Sequence, residues 1–181
     1  IIVFNNSNWN LTQRIVIKCN PNDVDHDMQT FKILHNLLTD DSVLLEKTKS
    51  KPAILVVVDV GSDDVAGMNL ENDNDIILVE NTESNVGKVV ISSLNSRPVY
   101  DVYIFIDILP QENIPFITIE PDVPIHVPKD RWKNISCTLK FRALKNVPSE
   151  RVEINIYPIS NDSKYNNTAL SKQVYATIQS P

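Results

Sequence analysis

The chain has 181 residues, 42% of them hydrophobic, and a net charge of −6. That is enough apolar material for a packed core and enough length for one large domain or two ordinary ones. No window approaches the ~18 uninterrupted apolar residues of a membrane span, no signal peptide is visible, and acidic stretches repel nucleic acid and anionic lipid, so this segment is expected neither to insert into a membrane nor to bind nucleic acid.

The chain opens in mid-pattern, as an excerpt of a longer protein would. Residues 1–4 read as a short strand and 5–8 as a turn. Trp9 then opens a strand over residues 13–19, in which the alternation Ile15, Ile17, Cys19 marks one buried face. Residues 21–27 form a polar loop with Asp23, Asp25 and Asp27 at alternate positions. Residues 29–38 carry Phe31 and Ile33 on one strand face, although Phe31, Leu34, Leu37 and Leu38 also have helical spacing. A loop over 39–51, with one helical turn at 43–47, leads to a β-branched closing strand at 53–60. Two of the three glycines, Gly61 and Gly67, bracket the joint that follows, where backbone freedom is needed.

Beyond the joint, a unit starts at Met68, and strands are expected at 76–80, 87–94, 99–108, 116–119, 125–127, 132–143, 151–157 and 173–179. Pro121, Pro124 and Pro128 break the shorter ones, and 11 prolines between short strands suit sheet edges and turns. Short strands with turn signals at regular spacing indicate antiparallel sandwiches.

One stretch occurs twice. Trp9 and Trp132 are the only tryptophans, 123 residues apart, and the pairs Ser50-Lys51 and Ser171-Lys172 are 121 apart. Between them the same order recurs: tryptophan, alternating strand, acidic turn, closing strand. The turn is Thr39-Asp40-Asp41-Ser42 in one copy and Ser160-Asn161-Asp162-Ser163 in the other. Such a repeat predicts an all-β chain of tandem immunoglobulin-like antiparallel β-sandwiches. Residues 1–66 are the later part of a first unit and 67–181 nearly all of a second. The repeat also decides residues 29–38 for strand, as the counterpart of 151–157, and places both tryptophans as core plugs.

Several short motifs, in order, resemble the Calx-beta-like tandem repeats of extracellular and cell-surface proteins. They are Phe4-x4-Trp9-Asn10-x2-Gln13-x-Ile15-x-Ile17, Asp23-x-Asp25, Asp40-Asp41-Ser42 and the joint Asp63-Asp64-Val65-Ala66-Gly67. In the following unit Leu78-x-Glu80, Ser96-Arg97-Pro98-x2-Asp101-Val102 and Ser160-x-Asp162-x2-Tyr165 continue the pattern. The resemblance implies sandwiches strung end to end, some binding Ca²⁺ between strand-end loops. Ser62 stands where the joint's first Asp is expected, and the second unit has Asn146-Val147-Pro148-Ser149-Glu150 in place of the Asp-x-Asp turn.

The acidity is local. Asp59, Asp63, Asp64, Glu71, Asp73, Asp75, Glu80 and Glu83 stand together with no Lys or Arg among them. They read either as a solvated linker and loop or as a Ca²⁺ site, which needs 6–8 oxygens from carboxylates, carbonyls and water. The candidate ligands are Asp59, Asp63, Asp64 and Glu80, with Asp23, Asp25 and Asp40 able to reach the same pole. Catalysis has no matching pattern: His26, His35 and His126 are scattered, and neither a nucleophile motif nor a phosphate-cradling glycine loop is present. Cys19 and Cys137 are expected as free thiols, Cys19 buried. Asn5, Asn10, Asn134, Asn161 and Asn166 head glycosylation sequons, which favours secretion to the extracellular space or cell surface.

The expected function is a non-enzymatic structural or adhesive repeat segment, stiffened at its joint by Ca²⁺ if the acids converge. Its partners would be neighbouring repeats of the same chain and another surface protein or glycan. The rivals are a carbohydrate- or protein-binding receptor module, for which Tyr100, Tyr103 and Phe105 are the candidate aromatics, and an accessory domain of a larger enzyme.

Overall fold

The computed structural model describes residues 2–49, 53–72, 74–79, 86–109, 116–144 and 149–179. The first part of the chain holds β1 (Gln29–His35), the helix α1 (Ser42–Lys49) and β2 (Ile54–Val60). After the joint come β3 (Met68–Glu71), β4 (Ile76–Val79), β5 (Gly87–Leu94), β6 (Val102–Leu109), β7 (Ile117–Glu120) and β8 (Ile125–Val127). β9 (Cys137–Ala143), β10 (Glu150–Ser160) and β11 (Lys172–Gln179) complete the order. Each of these strands overlaps an expected one except β3, which begins at Met68, where a second unit is expected to start.

β3 to β11 form two sheets, one of five strands in the order β4-β11-β10-β6-β8 and one of four in the order β3-β5-β9-β7. All pairings are antiparallel except β11 with β4, which is parallel. Alternation makes the core between them: Val89, Ile91, Leu139 and Phe141 from one sheet meet Ile104, Ile154, Ile156 and Val174 from the other, all fully buried. Each such side chain contributes roughly 1.5–3 kcal/mol by leaving water. The architecture is an all-β sandwich. Gly87 is required where β5 starts beneath β4, because a Cβ there would stand 2.2 Å from Ile76 Cγ2.

β1 and β2 form a separate two-stranded sheet. Its register runs from Gln29↔Val60 to His35↔Ile54, seven pairs, and that of β10–β11 runs from Glu150↔Ile178 to Ile156↔Lys172, again seven. Phe31↔Val58 and Ile33↔Val56 correspond to Val152↔Ala176 and Ile154↔Val174. The strand reading of residues 29–38 is therefore right over Gln29–His35, and the apolar spacing that suited a helix gives one face of a hairpin instead. That face is unlike its counterpart in burial: Phe31 is 50% and Val56 38% exposed, whereas their counterparts Val152 and Val174 are fully buried.

The earliest elements differ from expectation. Residues 2–4 and 13–19 have strand-like sequence but form no strand, and Ile1 lies outside the described residues. Alternation supplies an amphipathic pattern, but a strand forms only where a neighbour accepts its main-chain hydrogen bonds, and these segments have none among the described residues. Ile15 and Ile17 are consequently exposed. Trp9 sits in a turn, its N–H donating to Asn5 O at 3.0 Å, and is 70% exposed; Trp132 is 9% exposed. The two tryptophans are not equivalent plugs. The helical turn expected at 43–47 is a two-turn helix, α1, lengthened by an Asp41 cap and by Lys47 and Lys49 at its C-terminal end.

Both cysteines are free thiols, and Cys19, expected to be buried, is exposed, for the same lack of a sheet. Cys137 is half-buried, and burial pushes its thiol pKa up. Since the thiolate is the nucleophile, iodoacetamide on the native protein should modify Cys19 well before Cys137. A mass-spectrometric time course in which Cys137 reacts first would contradict this placement.

Candidate functional site

The joint, the loop between β5 and β6, and the loop between β10 and β11 meet at one pole of the sandwich. Tyr165, fully buried, ties two of them together. Its hydroxyl donates to Ser96 O at 2.6 Å, accepts from Ser96 N at 3.1 Å and lies 3.0 Å from Ser96 Oγ. Burial pushes its phenol pKa up. Asp162, also buried, accepts from Val99 N at 2.7 Å and Lys164 N at 3.0 Å, while Ser160 Oγ accepts from Asp162 N and donates to Asp101 O. The segments around Ser96–Asp101 and Ser160–Tyr165, quoted above as separate motifs, thus form one polar network.

The same turn recurs beside the hairpin. Asp41 N donates to Thr39 Oγ1 at 3.1 Å, and Asp41 Oδ1 accepts from Val43 N at 2.9 Å and Leu44 N at 3.0 Å. This matches Asp162 N to Ser160 Oγ and Lys164 N to Asp162 Oδ1. The difference is the second carboxylate oxygen, which in Asp162 receives Val99 N from the β5–β6 loop.

Onto this pole folds the loop with alternating aspartates. Asp25 Oδ2 accepts from Ala66 N at 2.9 Å, Ser62 Oγ donates to Val24 O at 3.2 Å, and Arg97 N donates to Asp23 O. Ser62, where an Asp is expected, therefore has a role of its own in the joint. Gly67 allows the close approach, since a Cβ there would stand 2.5 Å from Asn95 Nδ2. Lysines supply the opposite charge: Lys164 Nζ lies 2.7 Å from Asp27 Oδ1 and 3.7 Å from Asp25 Oδ1, and Lys133 Nζ lies 3.3 Å from Asp23 Oδ2.

The acids named for Ca²⁺ are distributed as follows. Asp59 accepts a 2.7 Å bond from Thr30 on the hairpin, Asp63 is exposed, and Asp64 is half-buried in the joint. Asp40 is exposed beside α1. Glu80, Asp73, Glu83, Asn146, Val147, Pro148 and the pair Ser50-Lys51 lie outside the described residues. Among the described residues no group of three His, Cys, Asp or Glu is placed to hold a metal ion. With an ammonium between them, Asp25 and Asp27 do not present a Ca²⁺ shell, whose oxygens stand 2.3–2.6 Å from the ion. Lys133 and Lys164 could not be found from sequence, because each is more than a hundred residues from its partner. The only signal was the Asp-x-Asp-x-Asp alternation.

The hydrogen bond and charge of Lys164 hold Asp27 below the usual carboxylate range, and Asp27 in turn raises Lys164. A depressed Asp27 contributes stability above its unfolded pKa and loses it as pH falls through the folded value. A raised Lys164 contributes below its unfolded pKa and loses it as pH rises through the folded value. The clamp is thus closed at neutral pH and opens in strong acid and strong alkali. Carboxylate NMR should give Asp27 a lower midpoint in the wild type than in Lys164→Gln; equal midpoints would remove the clamp.

The outer face of the five-stranded sheet is aromatic. Tyr103 stacks on His126 with ring centroids 5.0 Å apart, and Phe105 on Tyr157 at 5.9 Å. His126 points away from the core, as its alternation requires, with Nε2 2.8 Å from Asp101 Oδ2. The Lys129 amide, followed by His126, lowers the Asp101 pKa. Tyr100 and Tyr103 are 53% and 43% exposed, and Phe105 is half-buried. An open groove of about 440 Å³ runs past Tyr100 and Tyr103, with Asp101, Lys129, Asn161 and Asn166 on its walls.

No family model matches the chain, and no curated protein sequence matches it. Solved structures to which it is similar include WR4, a member of the MSP family from C. elegans, at 10% identity and TM-score 0.39, over 63% of this chain and 97% of that one. The ZirS C-terminal domain matches at 10% identity and TM-score 0.38, over 99% and 94%. The cadherin-like domains 1 to 4 of zebrafish RET match at 10% identity and TM-score 0.37, over 73% and 31%. Similarity at this level carries nothing about ligand or activity, and no Calx-beta family model is among the matches. No helix among the described residues is long and apolar enough to cross a membrane.

Proposed function

We propose that this chain is a non-enzymatic, extracellular or cell-surface segment of a tandem β-sandwich array of the Calx-beta-like kind. Residues 1–66 are the later part of one unit and 67–181 the next. The observation that carries this is the repeated hairpin: β1–β2 and β10–β11 share a seven-pair register, and each has the same Ser/Thr-x-Asp turn between its two strands. The exposed apolar face of β1–β2 supports it, since the equivalent face of β10–β11 is core. The function is mechanical: a spacer whose units are held in a set orientation by the Asp23–Asp27 loop, closed on Lys133 and Lys164.

A test is charge reversal of both lysines, Lys133→Glu with Lys164→Glu, followed by small-angle scattering and amide exchange. Loosening is expected, with faster exchange at Ala66 and an unchanged sandwich core; an unchanged Ala66 would sink the clamp. Ca²⁺ enters this reading as an additional ligand of Asp59, Asp63, Asp64 and Glu80 at the joint. At about 100 times Kd such binding would add ~2.7 kcal/mol of stability. A calorimetric titration with no heat at millimolar Ca²⁺ would leave lysine as the cation of the joint.

The exposed Tyr100 and Tyr103 favour a second reading, a glycan- or protein-binding module. Glycan arrays and surface-protein pull-downs using wild type and Tyr100→Ala would separate it from a plain spacer.

A further inference from the structure

Two of the five sequons fall on the same groove. Asn161 and Asn166 both line it, together with Tyr100 and Tyr103. Both are exposed, as are the hydroxyl residues that complete their sequons, Ser163 and Thr168. Neither side-chain amide makes a hydrogen bond among the described residues, whereas Asn5 Oδ1 accepts from Ser7 N at 2.9 Å and from Asn8 N at 3.1 Å. The turn below them is held by the Asp162 and Tyr165 network, so the two acceptors are displayed from a rigid base.

The walls suit a pyranose. A sugar has an apolar C–H face that packs on an aromatic ring and an edge of hydroxyl or acetamide groups that need partners. Tyr100 offers the ring. Asp101 supplies an acceptor, and Lys129, whose backbone N–H is already bonded to Asp101, supplies an ammonium donor. Stacking on His126 holds Tyr103 in place. The groove's volume of about 440 Å³ lies in the range of small-ligand sites, yet it is open to solvent, as a chain leaving the surface requires.

We propose that the groove is the seat of the protein's own N-linked glycan, carried on Asn161 or Asn166, with the proximal N-acetylglucosamine packed on Tyr100. This rests on the extracellular reading above. It makes the tyrosine pair a support for a covalent modification rather than a receptor surface for a foreign sugar.

The experiment is expression of the whole 181-residue chain through a secretory eukaryotic host, with site occupancy read by mass spectrometry. Thermal stability is then compared in a cycle: wild type and Tyr100→Ala, each glycosylated and each made without glycan in bacterial cytosol. Occupancy of Asn161 or Asn166 is expected, with a Tm gain of roughly 2–4 °C for the glycosylated wild type that vanishes in Tyr100→Ala. Trimming to a single N-acetylglucosamine should preserve the gain, because only the first sugar is seated. A gain that survives in Tyr100→Ala, or that is lost on trimming, overturns the seat. Occupancy at Asn5, Asn10 or Asn134 without either groove site overturns the proposal while leaving the extracellular reading intact. No occupancy at any of the five counts against both.

Discussion

Trp132→Ala is expected to lower the unfolding free energy of the sandwich by ~3–5 kcal/mol, and Trp9→Ala by less than about 0.5 kcal/mol. Trp132 follows a short 3-10 turn, Lys129–Arg131, and belongs to the buried core; its carbonyl also accepts a 2.8 Å bond from Leu94 N. Truncating it removes a large aromatic from the core and leaves a cavity that the surrounding side chains fill only in part. Trp9 is 70% exposed on a turn, so its loss changes little packing. Denaturant unfolding followed by far-ultraviolet circular dichroism measures both variants independently of tryptophan emission. Equal losses would restore the equivalence that the repeat alone suggests and overturn the placement of Trp9.

Asp162→Ala should cost about 3 kcal/mol, against about 1 kcal/mol for Asp41→Ala. In the first case two backbone donors, Val99 N and Lys164 N, lose a charged acceptor at a buried site. Hydrogen bonds to charged groups contribute ~1.5–3 kcal/mol each, and an unsatisfied buried donor adds its own desolvation cost. In the second, an exposed carboxylate caps the N-terminus of α1, a role worth about 1 kcal/mol. Asp162→Asn should fall between them, since the amide retains one acceptor oxygen where the carboxylate has two. Thermal and denaturant melts of the three variants decide it. An Asp41 loss as large as that of Asp162 would show that the turn's local geometry, rather than its contact with the β5–β6 loop, carries the energy.

The strands of the sandwich were legible because alternation is a local property. Ile104, Ile106 and Ile108 on β6, or Val152, Ile154 and Ile156 on β10, declare a buried face whatever sheet receives it. The Ser160-x-Asp162 turn was legible for a similar reason: its Ser160 and Lys164 contacts span two residues. The same logic misled at residues 13–19. There Ile15, Ile17 and Cys19 carry an equally clear alternation, yet among the described residues no neighbouring strand takes up their hydrogen bonds and the face stays open. Pattern states what a segment could bury; only a partner decides whether it does.

By itself the sequence determined the strand-rich class, the repeated order of strand, acidic turn and closing strand, and the absence of any pattern for nucleophilic catalysis. Those follow from side-chain periodicity and residue chemistry over a few positions. The tertiary structure alone decided that Asp25 and Asp27 meet Lys164, that Ser96 closes on Tyr165, and that Asn161 and Asn166 line one groove with Tyr100. Each of these joins residues 60 or more positions apart. Their contact depends on how the sheets pack and where the loops end, and no local spacing encodes that geometry.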